Sequence, residues 1–180
     1  DHRQWPARPI LRTGQPPGEQ DASRQDACGQ DAGGVPIVVT DQNEGLPWTE
    51  AERLAALDSY AILDTPPEQD FDDLVRLVAE LLEAPMAAVN LIAEKRQWFK
   101  AEIGLGVREM PLDDSICSRM LLQRGELIVP DLLEDPRFSC NPLVNAGSGL
   151  RFYAGELLQT PDGLPLGTLC VLDTKPRPEG

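Results

Sequence analysis

The sequence predicts an α+β fold in which helices cover one face of an antiparallel sheet of five or six strands. Two stretches with apolar residues at helical spacing come first, at 49–61 and 65–82. Five segments with the character of strands follow, and short turns join neighbours at both ends of that series. Short turns join antiparallel strands, whereas a parallel pair needs a long crossover. Such a sheet buries a face against helices, which gives the α+β class.

Both helices are predicted from their start signals. Thr49 and Glu52 have the spacing of a capping box, and apolar residues at helical spacing follow. Thr65 is followed by proline and then, three residues on, by Glu68, which predicts a helix that begins directly after Thr65. This second helix ends at Pro85 and carries one apolar stripe. The stripe consists of Phe71, Leu74, Val75, Val78, Leu81 and Leu82.

Five strands are predicted after these helices. They lie at 86–92, 97–103, 127–129, 150–158 and 165–172. The first is apolar on both faces except at Asn90, which is typical of a central strand. The second alternates, with Phe99, Ala101 and Ile103 predicted on one face. A turn at 160–163, with a proline and a glycine, joins the last two strands into a hairpin.

A short helix is predicted at 115–122, between the second and third strands. Asp113 and Asp114 come directly before it, and aspartate is a favoured cap at a helix start. Cys117 lies near that start, where a thiolate is favoured and could carry a chromophore or sense oxidation. The alternative is that Cys117 is simply a small buried hydrophobe.

Composition divides the chain into three parts. Residues 1–47 hold six prolines, six glycines and few large apolar side chains, so they are predicted to be a flexible leader. The ordered domain is predicted at 48–176. Residues 177–180 are expected to be a short tail that leads to an output domain in a longer protein.

Charge and histidine content exclude several functions. The chain has 16 basic and 30 acidic residues, a net charge of −14, and residues 48–180 carry 12 − 23 = −11 of it. This charge repels nucleic-acid phosphates and anionic lipid, so neither is expected as a partner. The single histidine is His2, which leaves the domain without a Ser-His-Asp triad or a histidine metal site. No catalytic and no metal-ligating residue is predicted.

The cysteines and the hydropathy of the chain bear on its location. Four cysteines without paired spacing predict free thiols in a reducing cytoplasm. They are Cys28, Cys117, Cys140 and Cys170. No apolar run reaches the roughly 18–20 residues of a membrane span. A cytoplasmic location without a membrane span is therefore predicted.

Several motifs between residues 50 and 177 resemble those of a bacterial GAF domain. They are LAALDSYAILDTPPEQDFDDLVRLVAELLEAPMAAVNLI, RQWFKAEIGLGVRE, VPDLLEDPRFSCNPLV, LRFYAGELLQTPDG and LPLGTLCVLD. The resemblance implies an input module of a histidine kinase or a diguanylate cyclase, joined covalently to that output domain. It also implies a homodimer and a small-molecule pocket on one sheet face. It identifies no cofactor.

The resemblance places five residues of this chain as candidate ligand contacts. They are Asn90, Asp114, Cys117, Arg151 and Tyr153. Each has a structural alternative: Asp114 can cap a helix, Arg151 can pair with Asp131, and Tyr153 can simply pack. A buried Asn90 can instead hydrogen-bond to a neighbouring loop backbone.

The leading interpretation is a non-catalytic sensory domain that binds a small ligand or relays conformation to its output domain. One alternative is a photoreceptor with a bilin on Cys117, although Ser118 and Arg119 stand where chromophore domains of this family have histidine next to the cysteine. Another is a thiol-dependent free methionine sulfoxide reductase. A third is an empty scaffold that serves only dimerisation.

Overall fold

The structure, a computed structural model, describes residues 46–122, 125–145 and 149–178. Nearly all of the predicted leader therefore lies outside the described residues, and the limits of the leader, domain and tail stay predictions. The described helices are α1 (Glu50–Ser59), α2 (Gln69–Leu81), α3 (Pro142–Asn145) and two 3-10 helices, Leu112–Asp114 and Cys117–Leu122. The strands are β1 (Met86–Ile92), β2 (Arg96–Ile103), β3 (Glu109–Pro111), β4 (Leu127–Val129), β5 (Phe152–Gln159) and β6 (Pro165–Asp173).

The six strands form one sheet in the order β3-β2-β1-β6-β5-β4, and every neighbouring pair is antiparallel. This confirms the α+β class and its antiparallel sheet. The strand that the sequence did not predict is β3. It has three residues paired with residues 96–98, which is too short for an alternating pattern to show.

The sheet is covered on both faces. On one, which we call the helical face, Val75 and Ala79 of α2 pack over Ala87 and Val171 at the sheet centre. Leu57 of α1 belongs to a neighbouring cluster on the same face. On the other, which we call the pocket face, the two 3-10 helices and the loops around α3 enclose the larger core. Its fully buried members include Met86, Ala88, Ile92, Met120, Leu132, Leu150 and Tyr153.

A bulge in β2 changes which side chains share a face. Val89 of β1 pairs with Ala101, but the next residue, Asn90, pairs with Phe99. Phe99 consequently belongs to the pocket-face core, and Ala101 packs on the helical face. The prediction that Phe99 and Ala101 share a face is wrong, because the extra residue in the bulge shifts the alternation by one.

The extra residue is Lys100, which is fully buried under α2. Its ammonium donates to Thr65 Oγ1 at 2.7 Å and to the Pro66 carbonyl oxygen at 3.0 Å, and it pairs with the Glu68 carboxylate. All three ammonium donors are thereby used, which is the condition for burying such a group.

The same contacts set the start of α2. The helix begins at Gln69 with Glu68 as its N-cap, so the prediction that it begins directly after Thr65 is wrong. Thr65 and Pro66 lie outside the helix and supply acceptors to Lys100. The start of α1 does follow the sequence signal, since Thr49 and Glu52 form the predicted capping box.

The predicted apolar stripe of α2 is only partly buried. Val75 is buried, and Phe71 and Val78 are half-buried against the helical face. Leu77 is 61% exposed and Leu81 is 77% exposed. Leu74 and Leu82 are also exposed, so α2 and the residue that follows it present a row of four leucines away from the sheet. We call these four residues the leucine row.

Glu68→Gln tests the counter-charge of Lys100. We expect the free energy of unfolding to fall by about 1–2 kcal/mol, since the buried ammonium keeps a hydrogen-bond acceptor but loses its anion. Urea denaturation at neutral pH measures the change, and Glu94→Gln, at an exposed position in the turn after β1, is the matched control. Equal stability of the two variants would show that the pair contributes nothing.

Candidate functional site

The candidate site is a buried group of polar and sulfur side chains on the pocket face. Asn90 of β1, Tyr153 of β5 and Cys170 of β6 project from the sheet, and Cys117 meets them from the second 3-10 helix. Thr168 lies directly opposite Asn90 in the β1–β6 pairing. We call these five residues the thiol cluster, and each is at most 4% exposed.

Ser115 positions Cys117. The Ser115 hydroxyl donates to Gln97 Oε1 of β2 and accepts from the Ser118 backbone N–H at 2.9 Å. It is therefore Ser115 that fixes the start of the second 3-10 helix, and the prediction that Asp113 and Asp114 cap a helix at 115–122 is wrong. The two aspartates lie instead in the first 3-10 helix.

Asn90 makes the central hydrogen bonds of the thiol cluster. Its Nδ2 donates to Thr168 Oγ1 at 2.8 Å and lies 3.4 Å from Cys117 Sγ and 3.6 Å from Cys170 Sγ. Its partners are thus side chains rather than the loop backbone considered from the sequence. Asn90 Oδ1 is the one buried side-chain nitrogen or oxygen without a partner among the residues that the structure describes. Such a group costs free energy until a donor reaches it.

Tyr153 closes the thiol cluster from β5. Its hydroxyl donates to Met120 Sδ at 3.0 Å and lies 3.4 Å from Cys117 Sγ. The ring has room because residue 155, the next one on the same face, is glycine. A Cβ at Gly155 would lie 2.5 Å from Tyr153 Oη, so any larger residue there would displace the ring.

The hydrogen bonds make the two cysteines unequal. Hydrogen bonds stabilise the Cys117 thiolate against the cost of burial and lower the pKa of Cys117 from 9.0 to about 7. The largest contribution comes from the S–H of Cys170, and smaller ones come from Tyr153, Thr168 and Asn90. Donation to Cys117 and burial raise the pKa of Cys170. Burial also raises the pKa of Tyr153. Cys117 is consequently the group of the thiol cluster that ionises first.

A small apolar cavity lies against the two sulfurs. Its volume is about 20 Å³, which is room for one water molecule. Cys117 is the candidate ligand contact that lines it, while Asn90 and Tyr153 lie behind it in the thiol cluster. The lining residues are Gln97, Phe99, Leu105, Met110, Ile116, Cys117, Leu143, Leu150, Cys170 and Leu172.

The other two candidate contacts lie apart from the cavity. Arg151 makes a two-pronged ion pair with Asp131, with Nε 2.7 Å from Oδ1 and Nη2 against Oδ2. The guanidinium lowers the pKa of Asp131. Asp114 is half-buried, and burial and the neighbouring charge of Asp113 raise its pKa. The structure therefore brings three of the five candidates together. Ligand contact by any of them stays a prediction.

Cysteine pairing and metal binding can be judged for the described residues. Cys117 and Cys170 are free, whereas Cys140 is disulfide-bonded. The prediction of free thiols is therefore wrong for Cys140. Within 46–122, 125–145 and 149–178, no group of three or more His, Cys, Asp or Glu residues is arranged to hold a metal ion.

Two members of the thiol cluster were missed as site residues in the sequence. Cys170 is predicted only to be a free thiol, and no role is predicted for Thr168. A signal existed, because strand alternation puts residues 168, 170 and 172 of one strand on the same face. What the sequence did not contain is the register that sets Thr168 opposite Asn90.

The fold and the cavity define a class of small α+β domain with a small apolar cavity on one sheet face. The GAF domain family model matches residues 66–179. The chain therefore belongs to the GAF domain family, as the motifs predicted.

Among relatives, a cyclic di-GMP phosphodiesterase of Pseudomonas aeruginosa is 38% identical over 131 residues, which are 73% of this chain and 22% of that protein. The chain thus spans less than a quarter of that relative. A solved GAF sensor protein from Burkholderia vietnamiensis has a TM-score of 0.50 at 15% identity and covers 74% of this chain and 85% of its own. A free methionine-R-sulfoxide reductase from Neisseria meningitidis has a TM-score of 0.49 at 16% identity, covering 72% and 76%.

Asp131→Asn tests the Arg151–Asp131 pair. At pH 7 we expect a loss of about 1 kcal/mol in the free energy of unfolding, the size typical of a well-oriented, partly exposed pair. Because the folded state lowers the pKa of Asp131, the stability it adds is present above the ordinary value of 3.8 and is lost as the pH falls through the folded value.

The difference between wild type and Asp131→Asn should therefore shrink as the pH is lowered below 4. Urea denaturation across a pH series measures it. Glu156→Gln, at an exposed position of β5, is the control. A difference that stays constant down to pH 2 would contradict this account of the pair.

Proposed function

We propose that this domain is a non-catalytic regulatory module that binds a small ligand on the pocket face and relays the resulting change to an attached output domain. The cavity beside the thiol cluster is the observation that carries the proposal. It is lined almost entirely by apolar side chains, as ligand pockets are. At about 20 Å³ it has room for one water molecule, so a larger ligand must displace the residues that cover it.

The cover of the cavity is built from two short helices. Leu143 belongs to α3, a helix of four residues, and Cys117 belongs to a 3-10 helix of six. By contrast, Phe99 and Cys170 project from strands paired on both sides. Short helices of this kind have few internal hydrogen bonds and open at low cost. Ligand entry from the side of α3 is therefore the favoured route.

Arg177 provides a route from the sheet to the C-terminal segment. Its guanidinium donates to the carbonyl oxygens of Leu82 at 2.6 Å and Glu83 at 2.7 Å, just after α2. It also pairs with Asp173 at the end of β6, at 2.7 Å. One side chain thus joins β6, the end of α2 and the chain beyond the sheet. A shift of β6 would therefore be transmitted through Arg177 to the C-terminal segment.

The nature of the output domain rests on the relatives. The phosphodiesterase of Pseudomonas aeruginosa aligns over only 22% of its length, which leaves room in such proteins for a separate catalytic domain. A domain acting on cyclic di-GMP is therefore a candidate beside the histidine kinase and the diguanylate cyclase suggested by the motifs.

The described helices include none that is long and apolar enough to cross a bilayer. Cytoplasmic location stays a prediction.

The size of the cavity argues against a bilin on Cys117. A bilin would need space for a tetrapyrrole, and the sulfur borders a cavity with room for one water molecule. A tetrapyrrole would therefore require a much wider opening of the pocket face than a small regulatory ligand does.

Binding in the cavity can be tested with benzene and indole as apolar probes. Because a ligand bound only by the native state stabilises it, we expect at least one probe to raise the melting temperature of the chain by several degrees. Leu143→Phe, which fills the cavity, should abolish the shift.

Leu133→Phe is the matched control, since Leu133 is also half-buried against the pocket-face core but does not line the cavity. It should keep the shift. If neither probe stabilises the wild-type chain, or if Leu143→Phe responds as the wild type does, the cavity is not a binding site. The scaffold that serves only dimerisation would then be favoured.

We also propose that the domain forms a homodimer through the leucine row. Leu77 and Leu81 are among the most exposed large apolar side chains described, and a second copy offers the same apolar surface. Acidic residues of α2 flank the row, among them Asp73 and Glu80. Their repulsion is screened by salt, so the dimer should strengthen as ionic strength rises.

Analytical ultracentrifugation tests this dimer. We expect the wild type to dimerise and Leu77→Glu and Leu81→Glu to be monomeric at the same concentration, because each places a charge in the contact. Ile128→Glu, an equally drastic change at an exposed position of β4, should dimerise as the wild type does. A wild-type monomer at all concentrations, or a dimer that survives both glutamates, would contradict the proposal.

A further inference from the structure

Two free thiols meet inside the domain without being bonded. Cys117 Sγ lies 3.9 Å from Cys170 Sγ, and the side chains are 4% and 2% exposed. A disulfide needs a sulfur separation of about 2.05 Å, so the sulfurs must approach by about 1.9 Å, a distance obtained from these two values.

The backbone that carries Cys117 can move more easily than the backbone that carries Cys170. Cys170 lies in β6, which is hydrogen-bonded to β1 on one side and β5 on the other. Cys117 lies in a 3-10 helix of six residues, whose hydrogen bonds are weaker than those of a strand or an α-helix. The approach therefore requires a shift of the short helix toward a fixed strand.

The chemistry of the pair is also unequal. Asn90 Nδ2 and Tyr153 Oη each lie 3.4 Å from Cys117 Sγ. Together with the Cys170 S–H they favour the thiolate of Cys117, whose pKa is lowered to about 7. The thiolate is the reactive form of a cysteine. Cys117 is thus the nucleophile and Cys170 the thiol that can resolve its oxidised form.

The cavity beside the pair has room for a small oxidant. Both cysteines line it, and its volume of about 20 Å³ suits a molecule close to water in size. Hydrogen peroxide meets this description more closely than organic hydroperoxides with bulky substituents do. A buried position therefore selects the oxidant by size.

We propose that Cys117 and Cys170 form a reversible dithiol–disulfide site that reacts with hydrogen peroxide. The Cys117 thiolate attacks one peroxide oxygen, so that an S–O bond forms, the O–O bond breaks and hydroxide leaves, taking a proton to become water. The Cys170 thiol then attacks the sulfenic sulfur, forming the S–S bond and releasing a second water with its own proton. Two thiols and one peroxide thus give one disulfide and two waters.

Oxidation would change the fold as well as the sulfurs. Both cysteines lose their thiol protons, so Cys170 no longer donates to Cys117. The approach of the second 3-10 helix to β6 also alters the distances from Cys117 to Asn90 and Tyr153. Because this helix covers the cavity, the disulfide would draw the cover inward.

Peptide mapping of the full chain tests the proposal. The native protein is treated with hydrogen peroxide, free thiols are then blocked in denaturant, and the chain is cut with trypsin without reduction. Trypsin separates the three relevant cysteines: Cys117 lies in 109–119, Cys140 in 138–151 and Cys170 in 152–180. We expect peptides 109–119 and 152–180 to become cross-linked, and the cross-link to be lost on treatment with dithiothreitol.

Variants assign the two roles and guard against an effect of misfolding. Cys170→Ser should accumulate sulfenic acid on Cys117, detected as a dimedone adduct when the peroxide-treated chain is unfolded in the presence of dimedone, whereas Cys117→Ser should give no adduct on Cys170. Cys140→Ser should keep the cross-link. The wild-type mapping stands by itself if a variant fails to fold.

Three results would overturn the proposal. Cys117 and Cys170 could both stay open to the blocking reagent after peroxide treatment. Either one could be cross-linked to Cys140 instead. The cross-link could also form as readily in urea as in the native chain, which would show that the 3.9 Å contact plays no part.

Discussion

The antiparallel pairing of β1 with β6 is the constraint on which the rest of the domain depends. These two strands are the centre of the sheet and lie about 80 residues apart in the chain, so the pairing closes a long loop. It sets Asn90 opposite Thr168 and Ala88 opposite Cys170. The strands approach so closely that a Cβ at residue 167 would lie 1.9 Å from the Asn90 carbonyl oxygen, which is why glycine stands there. A shift of register by one residue would turn Cys170 away from Cys117.

The buried polar groups on the two faces of the sheet differ in how fully they are hydrogen-bonded. On the helical face, Lys100 meets three acceptors and Arg53 donates to Glu50 and to the Ile92 carbonyl oxygen. These cations are satisfied and fix how α1 and α2 sit on the sheet. On the pocket face, the thiol cluster contains softer hydrogen bonds to sulfur and one acceptor, Asn90 Oδ1, without a partner. The paired cations on the helical face hold the helices rigidly on the sheet. The thiol cluster on the pocket face is where a ligand or an oxidant can change the hydrogen bonds.

Local signals predicted what is local in this fold. The capping box at Thr49 and Glu52 involves four consecutive residues, and it is present as expected. The hairpin of β5 and β6 follows from its turn sequence in the same way. The start of α2 was mispredicted because Thr65 is held by Lys100, which lies 35 residues further on. The side-chain faces of β2 were mispredicted because its bulge is defined only by the pairing with β1.

For the site, the sequence could indicate which residues are candidates but not which of them lie close together in the fold. Asn90, Cys117 and Tyr153 were selected by resemblance, and they do lie together. Arg151 was selected in the same way, and its partner Asp131, considered as an alternative, holds it away from the cavity. The immediate neighbours of Cys170 in sequence are apolar and do not indicate a polar site. Only the register of β6 brings its sulfur to Cys117.

The two edges of the sheet have a consequence for how this chain behaves at high concentration. Each edge strand, β3 and β4, has only three residues, and β3 ends at Pro111 and carries Glu109 paired with Arg96. Short, charged, proline-containing edges are how natural sheets avoid pairing with one another. The edges therefore have few backbone groups with which another strand could pair, and ordered fibrils or domain swaps through the sheet are disfavoured. Recognition between copies is left to side chains, where it can be made specific and reversible.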